Sequence, residues 1–348
     1  MSPFILSIFL MTLGLGTTIT FISSHWLLAW MGLELNTLAI IPLMAQRHHP
    51  RSTEATTKYF LIQATAAATM LFAGTTNAWL TGQWDITTTT HPFPLTLLTL
   101  ALSLKLGLAP LHTWLPEVLQ GLDLITGLIL ATWQKLAPFA ILLQLQPAPS
   151  QLMIALGITS TLVGGWGGLN QTQLRKILAY SSISHLGWMI LVAQFSPALT
   201  LLTLIIYVAM TSTVFLTFHL TSAKSISTLI ISSTKTPAIA CLVPLTLLSL
   251  GGLPPMTGFA PKLLILQELT KQTLPLTATI TALSALLSLY FYLRLTYASS
   301  LTLSPNITST PTMWRLPLFS STMPLAFFST LSILLFPLLP ALATPNYF

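Results

Sequence analysis

Charge is what this chain lacks most. Only 5% of its 348 residues are Asp, Glu, Lys or Arg, and six of those are acidic. Soluble domains carry roughly a quarter charged residues. Nineteen such side chains cannot cover a surface that faces water. With 53% hydrophobic residues and a mean hydropathy of +0.80, most of the outer surface must face lipid. Cysteine is nearly absent too. Cys241 alone cannot close an intrachain disulfide, and cysteine-ligated iron–sulfur clusters draw on four thiolates. Its expected role is that of a small buried apolar residue. No GxGxxG follows a strand-like run, so a dinucleotide-binding turn is not expected. No pair of histidines has the spacing of a metal site. The net charge of +7 comes without a basic run, so nucleic acid is not an expected partner. The start, MSPFILSIFLMTLGLG, has neither the basic region of a secretory signal nor an Arg-rich amphipathic pattern. Insertion at the site of synthesis, or a first helix that acts as the signal, is the expectation.

Long apolar runs are what the chain has. A helix needs about 20 apolar residues to cross the hydrocarbon core. Eleven runs qualify, near 3–23, 25–45, 54–81, 93–121, 124–146, 150–169, 174–195, 197–222, 237–271, 275–299 and 323–343. They are too long for membrane strands and show no period of two. The predicted fold class is an all-α polytopic membrane protein with about eleven transmembrane helices. Loops after even-numbered runs hold Arg47, Arg51, Lys58, Arg175, Lys176, Lys224, Lys235 and Arg315, whereas loops after odd-numbered runs hold Lys271 alone. Positive charge marks the side of synthesis, so the even loops and the N-terminus belong there and the C-terminus opposite.

Two runs are interrupted. The fourth reads LTLALSLKLGLAPLHTWLPEVLQG, with Pro110 and Pro116. The ninth contains GGLPPMTGFAPKLL, where Pro254 and Pro255 remove backbone donors and Gly251, Gly252 and Gly258 permit unusual angles. Freed backbone inside a membrane is tolerated only where it is buried in protein or lines a polar cavity, and here it could hold water. The two runs lie five apart, an odd offset that reverses orientation. Two inverted five-helix repeats are therefore expected, 1–147 and 148–300, with a loop and a last helix in 301–348. Inverted repeats with broken helices belong to ion and substrate transporters.

Of thirteen basic residues, the nine assigned to loops leave four, Lys105, Lys135, Lys262 and Arg294, and Glu34 lies near the centre of the second run. Arg294 is close enough to a helix end to snorkel. The other four cost about 2.5–3.5 kcal/mol each, on the order of 10 kcal/mol together. A structural ion pair between Glu34 and Lys105 is one reading. Three lysines against one carboxylate leave charge that such a pair does not neutralise. Burial disfavours an ammonium, so a buried lysine can pass a proton on, and a nearby carboxylate can switch it. Lys262 falls in the first turns of the second half-helix, near its positive dipole end, with Lys105 as its expected counterpart. His112, just past Pro110, and His185, among Ser181, Ser182 and Ser184, are candidate assistants. Either could instead hold two helices together by a hydrogen bond. His219 is a weaker case, and His48 and His49 read as loop residues. Trp26, Trp84 and Trp314 read as interfacial anchors. The Thr87–Thr90 run reads as a solvated loop, and the sequon at Asn306 is too short a pattern to weigh.

GGLPPMTGFAPK resembles the broken-helix segment of the antiporter-like, proton-pumping membrane subunits of respiratory complex I, which are related to Mrp-type cation/proton antiporters. LKLGLAPLHTWLPEVLQG resembles the matching segment of the first half, and LRKILAYSSISHLGWM the segment between them. With WMGLELNTLAIIPLM the resemblance covers essentially the whole chain, in the short, mitochondrially encoded animal form. It implies that Glu34 pairs with Lys105, that Lys135 is the central relay lysine, and that Lys262 is the terminal one. Pro110, Pro254, Pro255 and Gly258 are the broken-helix elements. The resemblance implies no cofactor on this chain, with FMN, iron–sulfur clusters and ubiquinone in other subunits. Implied partners are neighbouring antiporter-like and small membrane-arm subunits and the lipids of the inner mitochondrial membrane. The implied topology has the N-terminus in the matrix and the C-terminus in the intermembrane space. The rival readings are a stand-alone Mrp-like antiporter and a structural spacer.

Overall fold

Helix starts follow the prolines. In the computed structural model, which describes residues 2–46, 49–145, 150–232, 237–301 and 322–338, six helices open on proline, whose fixed φ suits a first helical position and whose missing N–H costs nothing there. Arg47, His48, Lys235, the sequon at Asn306, Trp314, Arg315 and the end of the 323–343 run lie outside the described residues.

The chain divides into two compact units, Met1–Ser160 and Thr161–Phe348. The first holds α1 (Pro3–Ile22), α2 (Trp26–Met44), α3 (Pro50–Thr81), α4 (Pro92–Leu106), α5 (Trp114–Gly121), α6 (Leu124–Ala131), α7 (Trp133–Gln144) and the first part of α8 (Ser150–Gly168). The second holds the rest of α8, then α9 (Leu174–Ala193), α10 (Pro197–Leu220), α11 (Ile226–Ser232), α12 (Pro237–Gly251), α13 (Phe259–Lys271), α14 (Pro275–Leu301) and α15 (Met323–Leu334), which a 3-10 turn over Phe336–Leu338 follows. Among the described residues no strand forms; the only pairings of that kind are isolated bridges, His25 with Asp85 and Gln173 with Ser225.

Among the described residues each apolar run carries helix, with two differences. The 124–146 run is not one helix, because it kinks at Thr132 (φ −113°, ψ −69°), six residues ahead of Pro138. α11 was not expected at all. Among the described residues six helical runs are long and apolar enough to cross a membrane: Pro3–Ile22, Trp26–Met44, Leu124–Gln144, Leu174–Ala193, Pro197–Leu220 and Pro275–Leu301.

Polarity runs inside out relative to a water-soluble bundle. Phe4, Phe93, Ile205 and Leu283 are exposed, and Trp79 is 91% exposed, whereas Asn36, Gln63, Asn77, Lys105 and Lys135 are buried. Most serine and threonine hydroxyls bond a carbonyl three or four residues back, as Thr20 does to Thr17 and Ser182 to Ala179, so they enter an apolar bundle already satisfied. Two expectations fail on this pattern. Cys241 is exposed, because an apolar residue on a lipid-facing surface needs no protein cover. Trp26 is buried, because the segment after α3 folds over the start of α2: Trp26 N donates to Trp84 O (3.0 Å) and Ile86 N to Ser24 O (2.9 Å). The same segment buries Thr89, whose hydroxyl donates to Ile86 O (3.0 Å).

Gly258 shows how tightly the interrupted run is folded. Its φ of −67° suits any residue, yet a Cβ there would run into the carbonyl oxygen of Ser249. Gly258→Ala is expected to destabilise the protein by about 1–3 kcal/mol through overpacking. Gly14→Ala, inside α1 with nothing within 4 Å of its added carbon, is the control expected to be neutral to stabilising by up to about 1 kcal/mol. Thermal unfolding of the detergent-purified protein reads the difference.

Candidate functional site

The two broken helices share one register. Shifting the first by 145 residues aligns the ends of α4 and α12, Leu106 with Gly251, and the starts of α5 and α13, Trp114 with Phe259. Gly107 then meets Gly252, at φ +80° and +77°, a left-handed conformation that glycine adopts without a side-chain clash. Pro110 meets Pro255, and Glu117 meets Lys262. In this register the counterpart of Lys262 is a carboxylate, and Lys105 aligns with Leu250.

In the first break, side chains take the freed carbonyls. Trp114 Nε1 donates to Leu104 O (3.1 Å), Gln63 Nε2 to Lys105 O (3.5 Å) and Thr159 Oγ1 to Ala109 O (3.2 Å). Lys105, in the last turn of α4, is 6% exposed, and its Nζ makes no hydrogen bond. Lys135 sits in the first turn of α7, just past the Thr132 kink, and is 3% exposed. Both lysines line one cavity, together with Asn36 and Thr37 of α2, Tyr59 and Gln63 of α3, and Gln134 of α7. Measured at the centre of a water molecule its volume is about 20 Å³. One water needs roughly 10–15 Å³ on that measure.

Glu34 stands beside this cavity rather than in it. Half-buried on α2, its Oε2 accepts from Thr37 Oγ1 (3.1 Å), and Thr37 is a wall residue. Glu34 and Lys105 form no salt bridge; Lys58 pairs instead with Glu54 (2.7 Å) and Glu117 (2.8 Å). Glu117 and Lys262 thus use one position in opposite ways. The carboxylate turns outward to Lys58. The ammonium of Lys262 turns into its own break and donates to Gly251 O (2.7 Å). That carbonyl ends α12, and a helix C-terminus favours a cation.

His112 is half-buried in the turn between α4 and α5, its Nδ1 3.3 Å from Pro110 O, and it is not part of the cavity wall. His185 lies on α9 with its ring 5.6 Å from that of Tyr207. Ser181, Ser182 and Ser184 around it donate to carbonyls of their own helix. His219 is exposed. Arg294 Nη1 donates to Leu169 O (2.8 Å), just past the end of α8, in keeping with a side chain that reaches for a polar end. The sequence reading missed Asn36, Gln63, Gln134 and Trp114. The first three carried a signal, since an amide side chain inside an apolar run has to find a polar partner.

The family described as NADH:quinone oxidoreductase/Mrp antiporter, transmembrane, matches residues 23–288. A second, described as NADH dehydrogenase subunit 2 C-terminus, matches residues 289–343. The chain belongs to the NADH:quinone oxidoreductase/Mrp antiporter membrane family. Relatives from Gadus morhua and Tetraodon nigroviridis, each named NADH-ubiquinone oxidoreductase chain 2, are 67% identical over 98% and 99% of both chains. A chain of respiratory complex I from Thermus thermophilus superposes with a TM-score of 0.85 at 28% identity, over 99% of this chain and 80% of that one. A chain of the Mrp complex from a Dietzia species superposes at 0.81 over 96% of this chain and 75% of that one; at 15% identity this likeness is one of fold.

Gly252 tests the second break. A Cβ there would lie 2.9 Å from both Nζ and Cδ of Lys262, on a residue at φ +77°. Gly252→Ala is expected to cost about 1–2 kcal/mol from the backbone alone and to displace the ammonium from Gly251 O. Thermal unfolding reads the first effect, and an experimental density map of the variant reads the second.

Proposed function

We propose that this chain is a proton-translocating membrane-arm subunit of respiratory complex I in the inner mitochondrial membrane. The observation that carries the reading is the pair of buried lysines, Lys105 and Lys135, on one water-sized polar cavity inside an apolar bundle. Membership of the family and the 67% identity to NADH-ubiquinone oxidoreductase chain 2 support it. Electron transfer from NADH to ubiquinone takes place in other subunits, which hold FMN and the iron–sulfur clusters. This chain supplies the path for protons. Glu34, next to the cavity through Thr37, sets the field at Lys105; Lys105 and Lys135 exchange a proton; Lys262 is the terminal group. His112 and His185 are assisting groups at most. The broken helices around Pro110 and around Pro254, Pro255 and Gly258 are the parts that move.

The proposed topology has about eleven spans, with two inverted five-helix repeats over 1–147 and 148–300 and a last helix in 301–348. The N-terminus faces the matrix and the C-terminus the intermembrane space. Neighbouring antiporter-like and small membrane-arm subunits are the partners, with inner-membrane lipid around them. Moving one charge against the membrane potential costs about 2.3 kcal/mol per 100 mV, so the drive comes from those partners.

Lys105→Met, Lys135→Met, Lys262→Met and Glu34→Gln test the relay in assembled complex in native membranes. Each is expected to cut this subunit's share of the protons moved per NADH oxidised at least several-fold. Thermal unfolding of the same preparations separates lost transfer from lost assembly. Unchanged stoichiometry in all four would leave a structural spacer. Migration apart from any redox-active assembly on native electrophoresis would leave a separate antiporter.

A further inference from the structure

This inference rests on the proton-relay reading and adds a residue to it. A proton passing from Lys105 to Lys135 needs a hydrogen-bonded path. Lys105 Nζ makes no hydrogen bond, so it does not reach the amine of Lys135 directly and a link has to stand between them. The link has to donate and accept at once.

Three of the cavity's polar side chains already make hydrogen bonds. The hydroxyl of Thr37 bonds Glu34 at both its carbonyl oxygen (2.9 Å) and its Oε2 (3.1 Å). Gln63 Nε2 donates to Lys105 O, and Gln134 Nε2 donates to Asn36 O (3.1 Å). Asn36 differs. It is 2% exposed, and neither Nδ2 nor Oδ1 of its side chain makes a hydrogen bond. Lys105 Nζ, on the wall of the same cavity, is in the same state. A buried polar group left unpaired is destabilising, and a carboxamide offers two donors and an acceptor. The Asn36 group is also held in place. Gln134 grips its backbone carbonyl, and α1 closes against its side chain at Gly16, where a Cβ would collide with Oδ1.

We propose that Asn36 is a positioning residue of the relay: its carboxamide and Lys105 together hold one water in the shared cavity, and through that water Lys105 and Lys135 exchange a proton. The step balances. An N–H bond of the Lys105 ammonium breaks as the water takes that proton. The water gives another to the neutral amine of Lys135, where a new N–H bond forms. Water is regenerated, and Asn36 changes neither charge nor protonation.

Asn36→Val and Asn36→Thr form the test, because valine and threonine differ by a methyl against a hydroxyl and have nearly the same shape. In assembled complex, Asn36→Val is expected to lower the protons moved per NADH oxidised as far as Lys105→Met does, and Asn36→Thr to restore most of that loss. Full stoichiometry in Asn36→Val, alongside loss in Lys105→Met and Lys135→Met, overturns the role of Asn36 and leaves the relay standing. Normal pumping in the lysine variants overturns both. Equal loss in the valine and threonine variants assigns Asn36 to packing and overturns the proposal. A density map of the native complex at a resolution that shows waters decides independently of any variant. Density within hydrogen-bond distance of both the Asn36 carboxamide and Lys105 Nζ is the expected result, and a dry cavity overturns it.

Discussion

An apolar medium offers no hydrogen bonds, so every backbone group freed inside it must be answered by the protein itself. The two broken helices are where that demand is greatest. In the first, Trp114, Gln63 and Thr159 supply donors from three different helices. In the second, the donor recorded at the end of α12 is the charged one, Lys262 on Gly251 O. A break that could have been a fault in a transmembrane segment becomes a polar centre, with a glycine where the backbone takes a left-handed φ.

The shared register of the two breaks gives the two units a common frame with different chemistry. Position for position, the first unit has a carboxylate where the second has a lysine, Glu117 against Lys262. The first unit's buried lysines sit elsewhere, one at the C-terminal end of α4 and one past the kink at Thr132. Kink and break both terminate helices beside the same cavity. That common boundary brings two charges from separate helices onto one small polar volume, while the rest of the bundle stays apolar.

Much of this was legible in the residues. Length and spacing of apolar runs, with Pro and Gly as punctuation, placed the starts of α1, α2, α4, α9, α10 and α14 within about a residue or two, because hydrophobicity and helix-breaking are local properties. The interruptions near Pro110 and Pro254 were legible for the same reason. The kink at Thr132 was not, since Pro138 stands six residues away from it. Trp26 and Cys241 were misread because a one-dimensional pattern does not say which face of a helix meets lipid. The amides of Asn36, Gln63 and Gln134 stood in plain view but carried no meaning until their helices were set side by side.

Order along the chain was enough to fix an all-helical membrane protein, two broken helices and the identities of its four costly charges, because burying charge in lipid is so unfavourable that few such residues occur. Distances were another matter. That Lys105 and Lys135 share a cavity, that Glu34 reaches it through Thr37 without a salt bridge to Lys105, and that Lys262 points back to the end of α12 all depend on packing between helices remote in sequence. No local rule specifies those contacts, since they follow from how whole helices interlock.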